Sequence, residues 1–265
     1  LRLTKMDLQL KDKVIIVTGG SKGIGNGICN VLAEEGAIPV IIGRNKVDVI
    51  SAVKKIKVKG YQVAYALAEL TNPDECKAAI EKVTKEFNKI DGLINNAGVN
   101  DSIGLENGSY DEFMESIKKN VGHYYSMAHL ALPALKKSKG SIVNIGSKTS
   151  ITGQGKTSGY AAANGGRNAL TREWALELLP YSIRVNAVIV AECYTPLYEK
   201  WINTFDNKDE KLASILKNIP LENRMTTTQE IANTVAFLIS EKSSHTTGQL
   251  VYVDGGYTHL DRALN

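Results

Sequence analysis

The sequence predicts an α/β protein, a doubly wound and mostly parallel sheet of about seven strands with helices on both faces. Three observations carry that expectation. Apolar β-type runs alternate with helical segments along the chain, several of those runs are apolar at every position, and the first run passes through a glycine-rich turn straight into a helix. The runs cover residues 14–17, 38–42, 63–67, 92–94, 142–145, 183–188 and 250–253. Apolar residues at every position mark strands covered on both faces, as parallel strands are. The first helix presents Ile24, Ile28, Val31 and Leu32 on one face and stops at Gly36. Another opens with Asn72 as N-cap and Pro73 at its first position, and a late one with Thr227 and Glu230 in capping-box spacing.

The 265 residues carry 43% hydrophobic and 23% charged side chains, an ordinary balance for a globular protein with a sizeable core. The net charge of +4 is small and is not gathered into a Lys/Arg block, which argues against nucleic acid or an anionic membrane as main partner. Three widely spaced cysteines, with no zinc-type spacing, read as reduced thiols of a cytoplasmic protein. No apolar run reaches the ~18 residues of a membrane span, and the start lacks the apolar core of a signal peptide. The four histidines show no ligand spacing, so no metal is expected. No linker, repeat or low-complexity stretch divides the chain. Residues 1–265 therefore read as one domain, with 1–9 as a tail whose first residues, ahead of Met6, read in part as added sequence.

The glycine-rich turn is Thr18-Gly19-Gly20-Ser21-Lys22-Gly23-Ile24-Gly25. Glycine lets the backbone come close to a pyrophosphate, while the helix N-terminus offers free N–H groups and partial positive charge. Between a first strand and a first helix, this pattern points to a dinucleotide.

From the cradle onward the chain resembles the classical short-chain dehydrogenase/reductases. It carries Asn95-Asn96-Ala97-Gly98 after the fourth strand, Asn120 in the next helical region and Ser147 after the fifth strand. Tyr160 follows, then Arg184-Val185-Asn186-Ala187 and Thr195-Pro196-Leu197. The resemblance implies a Rossmann-type sheet and a nicotinamide cofactor. It assigns the cofactor to Gly19, Ser21, Lys22, Gly23, Ile24, Gly25, Arg44, Glu69, Leu70, Asn96, Ala97, Gly98, Tyr160, Asn164 and Thr195. It also implies a homotetramer built on faces near residues 110–135 and 160–178, and a substrate lid over 196–220.

Where an acid ending the second strand would repel a 2′-phosphate, this chain has Gly43-Arg44. Arg44, with Lys22 beside it, favours NADP, with NAD as the alternative. The competing reading makes both cations solvated surface residues.

The family chemistry moves a hydride between nicotinamide and a carbonyl or carbinol carbon. Tyr160 matches the proton-transferring phenol, Ser147 the hydroxyl that holds the substrate oxygen, and Asn120 the organiser of a water relay. The family places a lysine four residues after the tyrosine, one turn along the same helix face, where its charge favours phenolate. Here that position is Asn164. Three explanations stay open: a weak or inactive member, an introduced substitution, or rescue by another cation such as Lys148, Lys156 or Arg167. If the charge is simply missing, Asn164→Lys raises the rate.

Gln154, Glu192 and Trp201, with Ser147 and Tyr160, are the candidate substrate contacts. Gln154 and Glu192 could equally be loop-surface groups, and Trp201 could instead pack the lid. The strings Asn100-Asp101-Ser102-Ile103-Gly104-Leu105, Ala169-Leu170-Thr171-Arg172-Glu173-Trp174-Ala175 and His245-Thr246-Thr247-Gly248 resemble bacterial L-fucose dehydrogenases. So does the tail from Val253 to Arg262. That resemblance implies oxidation of the anomeric hydroxyl of an aldose to a lactone. A carbonyl or ketoacyl reductase, and a cofactor-binding pseudoenzyme, are the competing functions.

Overall fold

The computed structural model describes residues 6–261; residues 1–5, and Arg262 of the tail quoted above, lie outside the described residues. Seven strands form one parallel sheet: β1 Val14–Thr18, β2 Ile38–Gly43, β3 Ala64–Leu67, β4 Gly92–Asn95, β5 Ser141–Ser147, β6 Arg184–Val190 and β7 Leu250–Val253. Their spatial order is β3-β2-β1-β4-β5-β6-β7. The order reverses between β1 and β4, which makes their carboxyl ends the switch point where such sheets take ligands. Every predicted strand is present, within a few residues of its expected bounds.

Because successive residues point to opposite faces, each apolar strand feeds two cores. Ile15 and Val17 of β1 join Ile41, Val143 and Val188 under α1 (Gly23–Glu34), α2 (Lys46–Val58) and α9 (Thr228–Ile239). Val14 and Ile16 join Val40, Leu93 and Ile142 on the other face, under α3 (Pro73–Phe87), α5 (His123–Ser138) and α6 (Ser158–Glu177). The remaining helices are α4 (Tyr110–Ile117), α7 (Pro196–Ile202) and α8 (Lys208–Lys217), the last two within the expected lid.

The caps fall where the sequence puts them. Asn72 accepts from the Asp74 and Glu75 amides ahead of α3, and Thr227 and Glu230 close a reciprocal capping box on α9. After α1, Gly36 takes φ +84°, the left-handed turn that returns the chain to β2. A π-helical turn at Lys118–Gly122 joins α4 to α5. Such turns widen a helix locally and often sit at functional sites.

Candidate active site

The cradle is built by close approach. A Cβ on Gly25 would stand 2.4 Å from the Gly19 carbonyl oxygen and 2.5 Å from Asn96 Nδ2, so glycine is required there. Asn96 Nδ2 donates to the Thr18 carbonyl at 2.9 Å, and the Asn96 and Ala97 amides donate to Thr18 Oγ1, tying the loop after β4 to the end of β1. Gly23 turns at φ +53° against Thr195, the N-cap of α7, which brings the start of α7 to the cradle. α1 has no side-chain cap and no acid in its first turn, whereas α2, α3, α4, α7 and α9 are capped by side chains. An uncapped N-terminus among glycines fits a pyrophosphate, so the residues present fit a dinucleotide.

At the far end of the cradle the structure pairs residues that the sequence treats separately. Arg44 donates to Glu69 at 2.8 Å, and Lys22 lies 2.6 Å from Asp48. Burial opposes the charged Glu69, but Arg44 and both donors of Thr71 outweigh it and hold the carboxyl below the usual range. Both cations are therefore paired with carboxylates while remaining well exposed, as the competing surface reading also expects. Leu70 packs on the core, and its carbonyl accepts from the Cys76 thiol.

The candidate proton-transfer residues sit at the carboxyl ends of β4 and β5. Asn120 is buried in the π-helical turn, where its Oδ1 accepts from the Val99 amide at 2.8 Å and its Nδ2 donates to the Ser116 carbonyl. Ser147 ends β5, and its Oγ accepts from the Thr149 amide and hydroxyl at 3.3 and 3.1 Å. A hydroxyl accepting twice keeps its own proton to donate. Tyr160 stands in the first turn of α6, half-buried.

Asn164 is fully buried, and both ends of its amide are engaged. Nδ2 donates to the Tyr160 carbonyl at 2.9 Å, and Oδ1 accepts from Arg167 at 3.0 Å. With no exposed surface, the side chain would have to be uncovered to make the expected contact with a cofactor ribose, for which one N–H remains free of these bonds. Arg167, 3% exposed, also donates through Nε to the Asn120 carbonyl at 2.7 Å and through a terminal nitrogen to the Ile145 carbonyl at 3.2 Å. Its guanidinium carbon is 4.4 Å from the Tyr124 ring centre and 6.0 Å from that of Tyr160. Of the candidate rescuing cations, Lys156 is exposed, whereas Lys148 and Arg167 both turn inward.

Parallel pairing sets Ser147 beside Val190, so the residues following β5 and β6 meet. There Lys148 forms a close ion pair with Glu192, their side chains 10% and 16% exposed, and the Lys148 ammonium lies 3.9 Å from the Tyr257 ring centre. Burial first, and then the Glu192 carboxylate, push the neighbouring Tyr198 phenol up. Trp201 is 41% exposed and meets Tyr198 and Phe205 edge-on at 5.1 and 5.2 Å. It therefore packs on its neighbours around α7 and still presents a face outward. Gln154 is exposed in its turn, and no contact gathers it to Ser147.

A cleft of about 800 Å³ lined by Lys13, Asp91, Ser141 and Arg184 opens at the opposite ends of the strands. That is the wrong end of the sheet for the switch-point site. Among the described residues no cluster of His, Cys, Asp or Glu could hold a metal ion, and no helix is long and apolar enough to cross a membrane.

A family model described as Enoyl-(Acyl carrier protein) reductase matches residues 19–258. The 3-oxoacyl-[acyl-carrier-protein] reductase of Thermotoga maritima is 32% identical over 250 residues, covering 94% of this chain and 99% of that protein. The crystal structure of Cj0485 dehydrogenase is 47% identical, with a TM-score of 0.93 over 98% of this chain and 99% of that one. The aldohexose dehydrogenase of Thermoplasma acidophilum is 32% identical, with a TM-score of 0.84 over 97% and 98% of the two chains. The chain belongs to the short-chain dehydrogenase/reductase family of NAD(P)-dependent oxidoreductases.

The inward orientation of Arg167 and the Lys148–Glu192 pair are what sequence reasoning missed. Residues 160, 164, 167 and 171 repeat at helical spacing, which places Arg167 on the same face as Tyr160.

Proposed function

We propose that this protein oxidises the anomeric hydroxyl of an aldose, L-fucose or a pyranose of the same ring stereochemistry, to a lactone, with NADP as the preferred cofactor. The observation that carries the reading is the Lys148–Glu192 pair next to Ser147, with the Tyr257 ring over Lys148 and Tyr198 beside Glu192. Fixed donors and acceptors next to an aromatic face suit a polyol, whereas a steroid or acyl pocket needs more aliphatic bulk. Similarity to an aldohexose dehydrogenase supports it.

Bound nicotinamide supplies the hydride acceptor. The chain's own groups do the rest: Ser147 donates to the sugar oxygen, Tyr160 takes the hydroxyl proton, and Asn120 holds the relay behind it. Gly19, Ser21, Gly23, Ile24 and Gly25, with Asn96, Ala97, Gly98 and Thr195, hold the dinucleotide. Arg44 and Lys22 meet the 2′-phosphate once Glu69 and Asp48 yield. The exposed Tyr125 and Leu176 lie on the two helix faces through which we expect four copies to assemble. Three free, buried cysteines fit the reducing cytoplasm.

Turnover of an aldose panel with NADP and NAD tests this. Oxidation of L-fucose or a stereochemical relative is the expected result. Reduction of a 3-ketoacyl thioester with no aldose oxidised would establish the competing reading, which similarity to 3-oxoacyl reductases favours. Cofactor binding with no turnover of either would mark a pseudoenzyme.

A further inference from the structure

A buried guanidinium whose every acceptor is a neutral oxygen needs a reason to be there. The acceptors of Arg167 are Asn120 O and Oδ1, Ile145 O and Asn164 Oδ1. A charge out of water without a counter-charge is unfavourable by several kcal/mol, and a guanidinium does not shed its proton to escape that. Yet this one sits at the junction of the three elements that carry the candidate reacting groups. It holds the Asn120 backbone and side chain in the π-helical turn. It holds β5 two residues before Ser147. It holds α6 through Asn164, whose amide in turn grips the Tyr160 carbonyl. Even Gly98 is fitted to it: a Cβ there would stand 2.7 Å from the guanidinium.

We propose that Arg167 is the resident cation of this active site, a positioning residue that balances the Tyr160 phenolate and fixes Asn120, in place of a charge at position 164. The Tyr160 ring centre is 6.0 Å from the Arg167 guanidinium carbon, and negative charge arises on that ring's oxygen only when the phenol gives up its proton. A buried opposite charge facing the ring favours the charged form. The neutral acceptors leave the guanidinium's charge to be matched by that phenolate.

The other groups packed around Arg167 do not compete. From α5, His123 is pushed down to about 3 by burial and then by Arg167 itself, so it stays neutral. Tyr124 is pushed up to about 12, burial outweighing the guanidinium, and its hydroxyl donates to the same Ile145 carbonyl. β5 contributes that carbonyl, and the loop after β4 contributes Gly98 and Val99. Asp101 is the linked carboxylate, one hydroxyl removed, accepting from Ser116 at 2.8 Å. α6 supplies Tyr160 and Asn164. Asn164 completes the arrangement because its neutral oxygen accepts from Arg167 where a second cation would repel it.

The proposal rests on Tyr160 being the proton-transfer group, and its test includes a readout that needs neither sugar nor cofactor. Native protein, Arg167→Met, Arg167→Lys and Asn164→Lys/Arg167→Val are each paired with a Tyr160→Phe partner and titrated by tyrosinate absorbance. The sugar-oxidation pH profile and thermal unfolding are followed in parallel. In Arg167→Met the absorbance that Tyr160→Phe removes should emerge about 1–2 pH units higher than in native protein, with the activity profile moving alkaline by as much. The rate at neutral pH should fall about 10²-fold. Arg167→Lys should keep part of the native titration, and the double variant should restore both titration and rate to within about tenfold. If Arg167→Met does not fold, the double variant decides: folded, with Tyr160 titrating well above its native position, it overturns the proposal. Folded Arg167→Met with native titration and pH profile overturns it as well. Absence of sugar turnover in every protein, with the titration shifts present, sinks the aldose reading and leaves Arg167 in place.

Discussion

Asn164 Oδ1 lies 3.0 Å from a terminal nitrogen of Arg167, and both side chains are buried. The pair inverts the expectation drawn from sequence. A lysine at 164 looks like the restoration of a missing charge; with Arg167 in place it would be a second one. Asn164→Lys alone should therefore destabilise the fold by about 2–4 kcal/mol, because two cations would share a buried space without a carboxylate. Urea unfolding of the single variant measures this. A variant as stable as native protein, and faster at pH 7, would mean that the guanidinium does not occupy the space between Asn120 and Asn164.

Cofactor choice turns on a different pair. Arg44 is already engaged by Glu69, so a 2′-phosphate must displace a carboxylate to reach it. Glu69→Gln should raise NADP affinity about three- to tenfold and leave NAD nearly unchanged, since a charge-assisted partner is lost on one side only. Arg44→Asp should reverse the preference. Calorimetric titration with both cofactors reads the two effects; equal gains for NAD and NADP in Glu69→Gln would contradict the assignment.

Much of this was legible in the chain itself. The strands stand out because a parallel sheet covered on both faces needs apolar residues in succession, as Val14 to Val17 show. Asn72 and Thr227 announce their helices because capping is a local exchange of hydrogen bonds. What stayed hidden depends on contacts between distant segments. Arg167 carries a charge, and charged side chains default to the surface in any reading of composition; only its spacing from Tyr160 hinted otherwise. Lys148 and Glu192 meet because β5 and β6 pair in the register that sets Ser147 beside Val190, and the sequence states neither the neighbour nor the register. Asn120 was recognisable as a residue but not as part of a π-helical turn, a geometry that no simple periodicity encodes.

Acid should loosen the helix that backs the cradle. Arg224 first, and then the Thr227 amide, hold the Glu230 carboxyl down to about 2. A depressed carboxyl contributes stability that is present above its unfolded value of about 4.3 and lost as pH falls toward the folded value. α9 packs on α1, where a Cβ on Gly27 would stand 2.8 Å from Thr228. Because Glu230 is well exposed, Glu230→Gln should cost only about 0.5–1 kcal/mol at pH 7, most of it from the lost charge facing Arg224 and the helix N-terminus, since glutamine can still close the capping box. That difference should shrink steadily below pH ~4. Thermal melts of both proteins across this range check it; a difference that grows in acid would reverse the sign of the linkage.

The Lys148–Glu192 pair separates recognition from stability. Removing one partner leaves a charge stranded at 10–16% side-chain exposure, and a broken buried pair costs about 3–5 kcal/mol. Glu192→Gln alone should therefore unfold at distinctly lower urea concentration than native protein. Replacing both, as Lys148→Met/Glu192→Gln, removes the stranded charge, and stability should return to within about 1–2 kcal/mol of native. If the pair served only the fold, activity would return as well. The aldose reading requires the opposite. The double variant should keep native cofactor affinity, because the cradle and the Arg44 region are untouched. Its KM for the best aldose should rise at least about tenfold, because the fixed donor and acceptor that meet the ring hydroxyls are gone. A double variant that is stable, binds cofactor and shows an unchanged KM would remove Lys148 and Glu192 from the substrate site and leave them a structural brace between the ends of β5 and β6.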